Sequence, residues 1–276
     1  MIELRNVTKY YEVRHGVRYI LNDVSLTIPS RTNVAVIGSN GAGKSTFLRL
    51  IGGSEPANSG TILTDSEISW PLGLASGFQG VLTGRQNVMF VCKINGLSRG
   101  DTRQVIRQVS EFAEIAEYFD MPVQTYSSGM RARLGFGLSM AFRFDVYLID
   151  ELTSVGDTNF KNKAKQAFNR ISRHASLIFV SHNINTLRES CQSGLFLRDG
   201  KADFYPDIEE AIAHYAEYAR AHNHKVGKDG AMRGLDSKKT RMAESKFAQK
   251  TAQEAQINSQ STQPAVDPDS NSQPPQ

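Results

Sequence analysis

Val34-Ala35-Val36-Ile37-Gly38-Ser39-Asn40-Gly41-Ala42-Gly43-Lys44-Ser45-Thr46 decides how this chain is read. Four apolar residues, two of them β-branched Val and one Ile, suit a strand buried on both faces of a parallel sheet. Gly38, four residues, then Gly43-Lys44-Ser45 complete the Walker A spacing. Glycines let a backbone curl around a polyphosphate with its N–H groups turned inward. The helix opening near Lys44 adds the positive end of its dipole. Lys44 supplies a point charge for the β- and γ-phosphates, and the Ser45 hydroxyl can hold Mg²⁺. Ser39, Asn40, Gly41, Ala42 and Thr46 complete the stretch that would surround the phosphates. A glycine-rich turn that binds nothing is the plainer reading, and a full match between a strand and an amphipathic helix argues against it.

Working outward, Ile2–Tyr10 and Tyr19–Ile28 read as strands flanking a turn at Arg14-His15-Gly16. The helix after the loop is expected over Lys44–Gly52. Short strands are expected at Thr61–Leu63 and Glu67–Trp70, with a break at Trp70-Pro71-Leu72-Gly73. Val105, Val109, Phe112, Ala116 and Phe119 recur at helical steps and predict one helix over Asp101–Phe119, capped by Asp101. Further helices are expected at Gly129–Phe142 and Lys161–His174. Asp207–His222 reads as a helix opened by Pro206 and a capping box of Asp207 with Glu210. Val146-Tyr147-Leu148-Ile149-Asp150 and Leu177–Val180 read as buried strands, and a strand with a turn spans Leu195–Gly200.

The chain has 276 residues, 39% apolar and 22% charged, with net charge +4 and a pI near 9.0. That is mildly basic, without the run of five or more Lys/Arg that marks a nucleic-acid arm. Cys92 and Cys191 stand alone and form no metal spacing or disulfide framework. No stretch approaches the ~18–20 apolar residues that span a bilayer, and the first residues lack a signal-peptide apolar region. The chain is expected to be cytosolic, or docked on a membrane through a partner. Beyond about residue 222, Gln, Ser, Asn, Lys and Pro dominate. The stretch from about 225 reads as disordered, with a fraying helix around Thr240–Ala255.

Other chemistry sits downstream of the phosphate loop. Asp150 ends an apolar strand, as a Walker B acid does, and can orient Mg²⁺ through water. Glu151 follows, placed to polarise a water. Ser127-Ser128-Gly129-Met130 opens an apolar helix and makes a second anion site. Each alone has a commoner meaning: a solvated strand end, an ordinary cap.

Tyr126-Ser127-Ser128-Gly129-Met130 resembles the signature motif of ATP-binding-cassette (ABC) ATPases, and other stations fall in that family's order. Tyr11 matches the aromatic that stacks on adenine, with Tyr10 competing. Gln79, in Gly77-Phe78-Gln79-Gly80, matches the Q-loop, which touches Mg²⁺ and the membrane partner. Ser154-Val155-Gly156-Asp157 matches the D-loop, and His182 the switch histidine at the γ-phosphate. As lone residues, Gln79 would be a surface residue, His182 a packed or solvent-facing histidine, and Asp157 an N-cap; they carry weight as a set.

Trp70-Pro71-Leu72-Gly73-Leu74, Leu82-Thr83-Gly84-Arg85-Gln86-Asn87 and Val155-Gly156-Asp157 add a likeness to the ATPases of surface-polysaccharide exporters, best to the capsular branch. Ser128 and Met130 stand where the wider family has Gly and Gln, and Leu152 where it has Pro. The resemblance implies an α/β P-loop NTPase fold: a mixed, RecA-like parallel-sheet core, a small antiparallel β subdomain and an α-helical subdomain. It implies an ATPase over 1–222, with the helical subdomain inserted at about 80–142, and leaves 223–276 as a polar tail with no room for a sugar-binding domain.

The function so implied is ATP- and Mg²⁺-dependent export of capsular polysaccharide across the inner membrane. The chain would work peripherally at the cytoplasmic face with two copies of a permease and a second copy of itself. Periplasmic or outer-membrane export proteins would be indirect partners, and nucleic acid none. Export of O-antigen or teichoic acid is the alternative. ABC ATPases that act on DNA or ribosomes, and nucleotide kinases, are further ones; the first usually carry two cassettes or coiled-coil arms, and the second would leave the signature unexplained.

Overall fold

The structure, a computed structural model, describes residues 1–14, 16–72, 77–150 and 158–222, together with 242 and 245. Two sheets share one core. The first is antiparallel, in the order β2-β1-β4, built from β1 (Ile2–Val13), β2 (Gly16–Ile28) and β4 (Ser59–Thr64). The second runs β5-β6-β3-β7-β8. Its strands are β3 (Val34–Ile37), β5 (Val146–Asp150), β6 (Ser176–Val180), β7 (Ser193–Arg198) and β8 (Lys201–Tyr205), and all pairings are parallel except β7 with β8.

The continuous apolar runs behave as expected of strands covered on both faces: every residue of β3 and β6 is buried. On one face lies α1 (Lys44–Ile51), whose Phe47, Leu48, Leu50 and Ile51 pack with Ile2, Leu4, Ile20 and Leu21 of the antiparallel sheet. On the other lie α6 (Ile184–Ser190) and α7 (Ile208–His222), with Phe168 of α5 (Thr158–Ile171).

A third core belongs to the helices alone. Val88 and Cys92 of α2 (Gly84–Ile94), Val105 and Val109 of α3 (Arg99–Ala113), and Leu134 and Leu138 of α4 (Ser128–Ala141) form it with Phe119 and Tyr126. Aromatic packing joins it to the sheet layer. Phe112, Phe136 and Phe160 meet at centroid distances of 5.5 to 6.1 Å.

Several expectations are corrected. Ser98, not Asp101, caps α3: its hydroxyl accepts from the Asp101 N–H at 3.2 Å. The expected single helix to Phe119 ends at Ala113, because Glu114 turns left-handed (φ 51°), and a 3₁₀ turn over Ala116–Asp120 follows. Lys163 of α5 holds that end, donating to the carbonyls of Glu111 and Phe112 and to the Glu114 carboxylate. Glu67–Trp70 is not a strand; only isolated bridges tie Ile68 and Leu72 to β5. At α7, Asp207 Oδ1 accepts from Glu209 N–H at 2.9 Å. Helices α2 and α6 and strand β8 had not been expected. No described helix is long and apolar enough to cross a membrane.

Candidate functional site

The loop over 38–43 leaves the carboxyl end of β3 and enters α1. Its glycines are needed where they stand. Gly41 and Gly43 take φ values of +80° and +99°. A Cβ on Gly43 would lie 2.3 Å from Ile20 Cγ2, and one on Gly38 2.7 Å from the Leu197 carbonyl oxygen. Pressed between β2 and β7, the loop starts a helix that no side chain caps, an arrangement that suits an anion. Lys44 is buried, and its Nζ donates back to the carbonyls of Gly38 (2.8 Å) and Ser39 (3.0 Å). Its charge is thus held within the loop. Ser39 and Ser45 are half-buried, and Asn40 and Gly41 exposed.

Strand register gathers the next stations. Val36 of β3 pairs with Val180 of β6, and Val180 pairs with Asp150 of β5. Gly38, Asp150 and His182 therefore stand at the carboxyl edge of three adjacent parallel strands, where open α/β sheets bind ligands. Asp150 and His182 are each half-buried. Glu151 and Asp157 lie outside the described residues, as do Leu152 and the rest of the expected D-loop.

The two tyrosines separate. Tyr10 faces Tyr19, with centroids 5.7 Å apart. Tyr11 pairs with Arg18 across the hairpin and reaches the first turn of α1: its Oη lies 3.5 Å from Thr46 Oγ1 and donates to Glu55 Oε1 at 2.5 Å. Arg18 donates to the Gly41 carbonyl at 2.5 Å. Glu55 also receives Lys9 (2.8 Å) and Arg49 (2.9 Å). Burial alone would raise its pKa, but the bonds from Lys9, Tyr11 and Arg49 outweigh that and hold it at about 2. Arg49 reaches Thr46 Oγ1 as well, at 3.0 Å. The buried Thr46 hydroxyl is thus engaged in fastening β1 to α1.

Helix α4 begins with Ser127 as its cap, the hydroxyl accepting from Met130 N–H at 3.1 Å. Ser127 and Ser128 are exposed. Among the described residues, a Cβ added at Gly129 would meet only Ser127 Oγ, 3.8 Å away, so no packing among them demands that glycine. The Met130 side chain packs on the helical core. Tyr126, which precedes the cap, is buried, and its hydroxyl donates to the Tyr118 carbonyl at 2.5 Å.

Gln79 is exposed, and its main chain is held by Asn87, whose Oδ1 accepts from Gln79 N–H at 2.8 Å. Sequence reasoning assigned nothing to Asn87, Arg18 or Glu55. Asn87 sits in Leu82–Asn87, but only its burial shows what it does; Arg18 and Glu55 depend on a register and a fold-back that no local pattern displays.

Residues 21–154 match the family model described as ABC transporter. The polysialic acid transport ATP-binding protein KpsT of Escherichia coli is 50% identical over 216 residues, covering 78% of this chain and 98% of KpsT. The capsule polysaccharide export ATP-binding protein CtrD of Neisseria meningitidis serogroup B is 40% identical over 215 residues, covering 78% of this chain and 98% of CtrD. Among solved structures, the dimeric post-hydrolysis state of the ATP-binding cassette MJ0796 bound to ADP and Pi is similar, with a TM-score of 0.62. It covers 74% of this chain and 98% of its own at 23% identity, a likeness of fold.

Proposed function

The chain belongs to the ATP-binding subunits of ABC transporters, and from that premise we propose that it hydrolyses ATP to power export of a capsular polysaccharide through a separate membrane permease. The observation that carries the substrate class is the 50% identity to a polysialic acid transport ATP-binding protein along nearly all of that protein's length. CtrD, named for capsule export, points the same way and favours capsule over O-antigen or teichoic acid.

The residues fit Mg·ATP. The glycine cradle has the backbone a polyphosphate needs, Lys44 brings a cation into it, and Asp150 and Ser45 offer oxygens to Mg²⁺. Bound Mg·ATP would supply the phosphoanhydride whose hydrolysis drives transport. The rest is work for the chain. Residues 38–46 bind and orient the phosphates. Tyr11 takes the adenine face, its reach to Thr46 at the start of α1 supporting it over Tyr10, whose ring lies against Tyr19. Ser45, Asp150 and Gln79 hold the metal. Glu151 accepts a proton from water, and His182 steadies developing charge.

Ser127, Ser128, Gly129 and Met130 belong to the same proposal, acting on the nucleotide of a second copy, with Asp157 beside that contact. The exposure of both serines and the open space at Gly129 support this. We assign the ATPase to 1–222, with the helical subdomain at about 80–142, and leave 223–276 as a tail without a catalytic part. Two copies would sit under two permease subunits at the cytoplasmic face of the inner membrane, with periplasmic and outer-membrane exporters beyond them.

The test is genetic. Deleting the gene should strip the cell of its surface polysaccharide. The wild-type gene should restore the coat and a Lys44→Ala gene should not. An intact coat in the deletion strain sinks the capsule assignment.

A further inference from the structure

Asn87, in the first turn of α2, is 1% exposed, yet it is among the most heavily hydrogen-bonded polar side chains described. Its Oδ1 accepts from the Gln79 N–H at 2.8 Å. Its Nδ2 lies 3.1 Å from the Gln79 carbonyl oxygen, 2.9 Å from that of Thr83 and 3.3 Å from that of Leu82. Both main-chain polar groups of Gln79 therefore bond to one buried amide, and the Gln79 carbonyl accepts from the Leu82 N–H as well, at 3.1 Å. A buried asparagine carries a desolvation cost that only satisfied bonds offset, and this one spends every bond on the segment 79–83.

The same segment is tied from its other side. Gly80 carbonyl accepts from Gln124 N–H at 2.9 Å, and Leu82 carbonyl from Val123 N–H at 2.9 Å. Those donors lie three and four residues before the Ser127 cap. Helix α2 meanwhile turns Phe90 (46% exposed) and Ile94 (67% exposed) outward, with Val81 (73% exposed) in the tied segment itself. Asn87 thus stands between an outward apolar face and the main chain of a residue whose side chain is exposed.

We propose that Asn87 is a positioning residue for ATP hydrolysis: by gripping the backbone of Gln79 from both sides, it fixes where the Gln79 side chain is presented. This rests on the reading of Gln79 as a contact to the nucleotide's metal. Asn87 touches neither nucleotide nor metal; it acts through Gln79 alone.

The experiment is a double-mutant cycle on the full chain with Asn87→Leu, which keeps volume and removes every bond, and Gln79→Ala, which keeps the backbone Asn87 grips. Steady-state ATPase gives kcat and KM, and a fluorescent ATP analogue gives Kd. Asn87→Leu should lower kcat about fivefold or more, with Kd within about twofold of wild type. In the Gln79→Ala background it should lower kcat no further. The same loss in both backgrounds, or a kcat untouched in the wild-type background, overturns the proposal. An unchanged kcat for Gln79→Ala overturns the reading of Gln79 and the proposal with it. If Asn87→Leu fails to fold, Asn87→Asp, which keeps the acceptor for Gln79 N–H, takes its place under the same criteria.

Discussion

A Cβ on Gly84 would stand 2.5 Å from Tyr126 Oη. Gly84 opens α2, and Tyr126 sits immediately before the cap of α4, so these helix starts are in contact through a glycine that leaves room for a phenol. The Phe119 carbonyl oxygen, 3.1 Å from the same point, closes the other side. Gly84→Ala should therefore destabilise by about 1–3 kcal/mol. Tyr126→Phe should cost about 1 kcal/mol by removing the phenol's bond to the Tyr118 carbonyl, which keeps the Met121 N–H at 2.9 Å. The double variant should be more stable than the two losses added, since the clash goes with the hydroxyl. Urea unfolding of the four proteins measures this; strict additivity would refute the contact.

Glu55 makes stability depend on acid. Its folded pKa of about 2 lies below the ordinary 4.5. The carboxylate therefore stabilises the fold above pH 4.5, and that contribution is lost as pH falls through about 2. Glu55→Gln should be less stable than wild type at pH 7 by about 1–3 kcal/mol. The two should converge between pH 4.5 and 2 in chemical denaturation. A gap that stays constant over that window would contradict the Lys9–Tyr11–Arg49 clamp.

Tyr11 and Tyr10 are told apart by nucleotide affinity. Removing a ring that stacks on a base costs about 1–3 kcal/mol. Tyr11→Ala should therefore weaken ATP binding about 5- to 150-fold, while Tyr10→Ala, whose ring lies against Tyr19, stays within about twofold. Equilibrium titration with a fluorescent ATP analogue decides, and the reverse order would reassign the adenine contact.

Gly129→Ala separates folding from function. Among the described residues only Ser127 Oγ lies near the added methyl, and alanine favours a helix over glycine by about 0.5–1 kcal/mol. Thermal stability should hold or rise and ATP binding should be unchanged. On the proposed reading turnover should fall about 100-fold, because the methyl would stand where a second copy's nucleotide approaches. Normal turnover would remove Gly129 from the site.

Lys44→Ala should abolish nucleotide binding or turnover, since the cation held at the Gly38 and Ser39 carbonyls goes with it. Glu151→Gln should keep ATP binding and accumulate a dimer on gel filtration with ATP. Wild-type turnover in that variant would take Glu151 out of its role.

The sequence disclosed most where burial is total. Val34–Ile37, Val146–Ile149 and the end of β6 are fully buried apolar runs, and the strands' limits fell within a residue of the structure. Helix α2 escaped because its outward face carries Phe90 and Ile94, which blur the alternation of buried and wet positions, although Thr83 and Gln86 spell the capping box that opens it. The end of α3 could not be read at all. Glutamate is a poor residue for φ > 0, and what holds Glu114 there is a lysine 49 positions away. At the site, loop and strand-end residues were legible from local pattern. Arg18 and Asn87 were not, since one depends on a cross-strand register and the other on being buried.

The bare surface around Gly129 makes dilution a control variable. On the proposed reading, in which cap and cradle serve different molecules, a lone chain is idle, so its specific activity in free solution should climb with its own concentration. Tethering two copies side by side replaces that search by a fixed local molarity. A permease that does the tethering would switch on hydrolysis simply by keeping company, and stray chains in bulk solution would leave the cell's ATP alone.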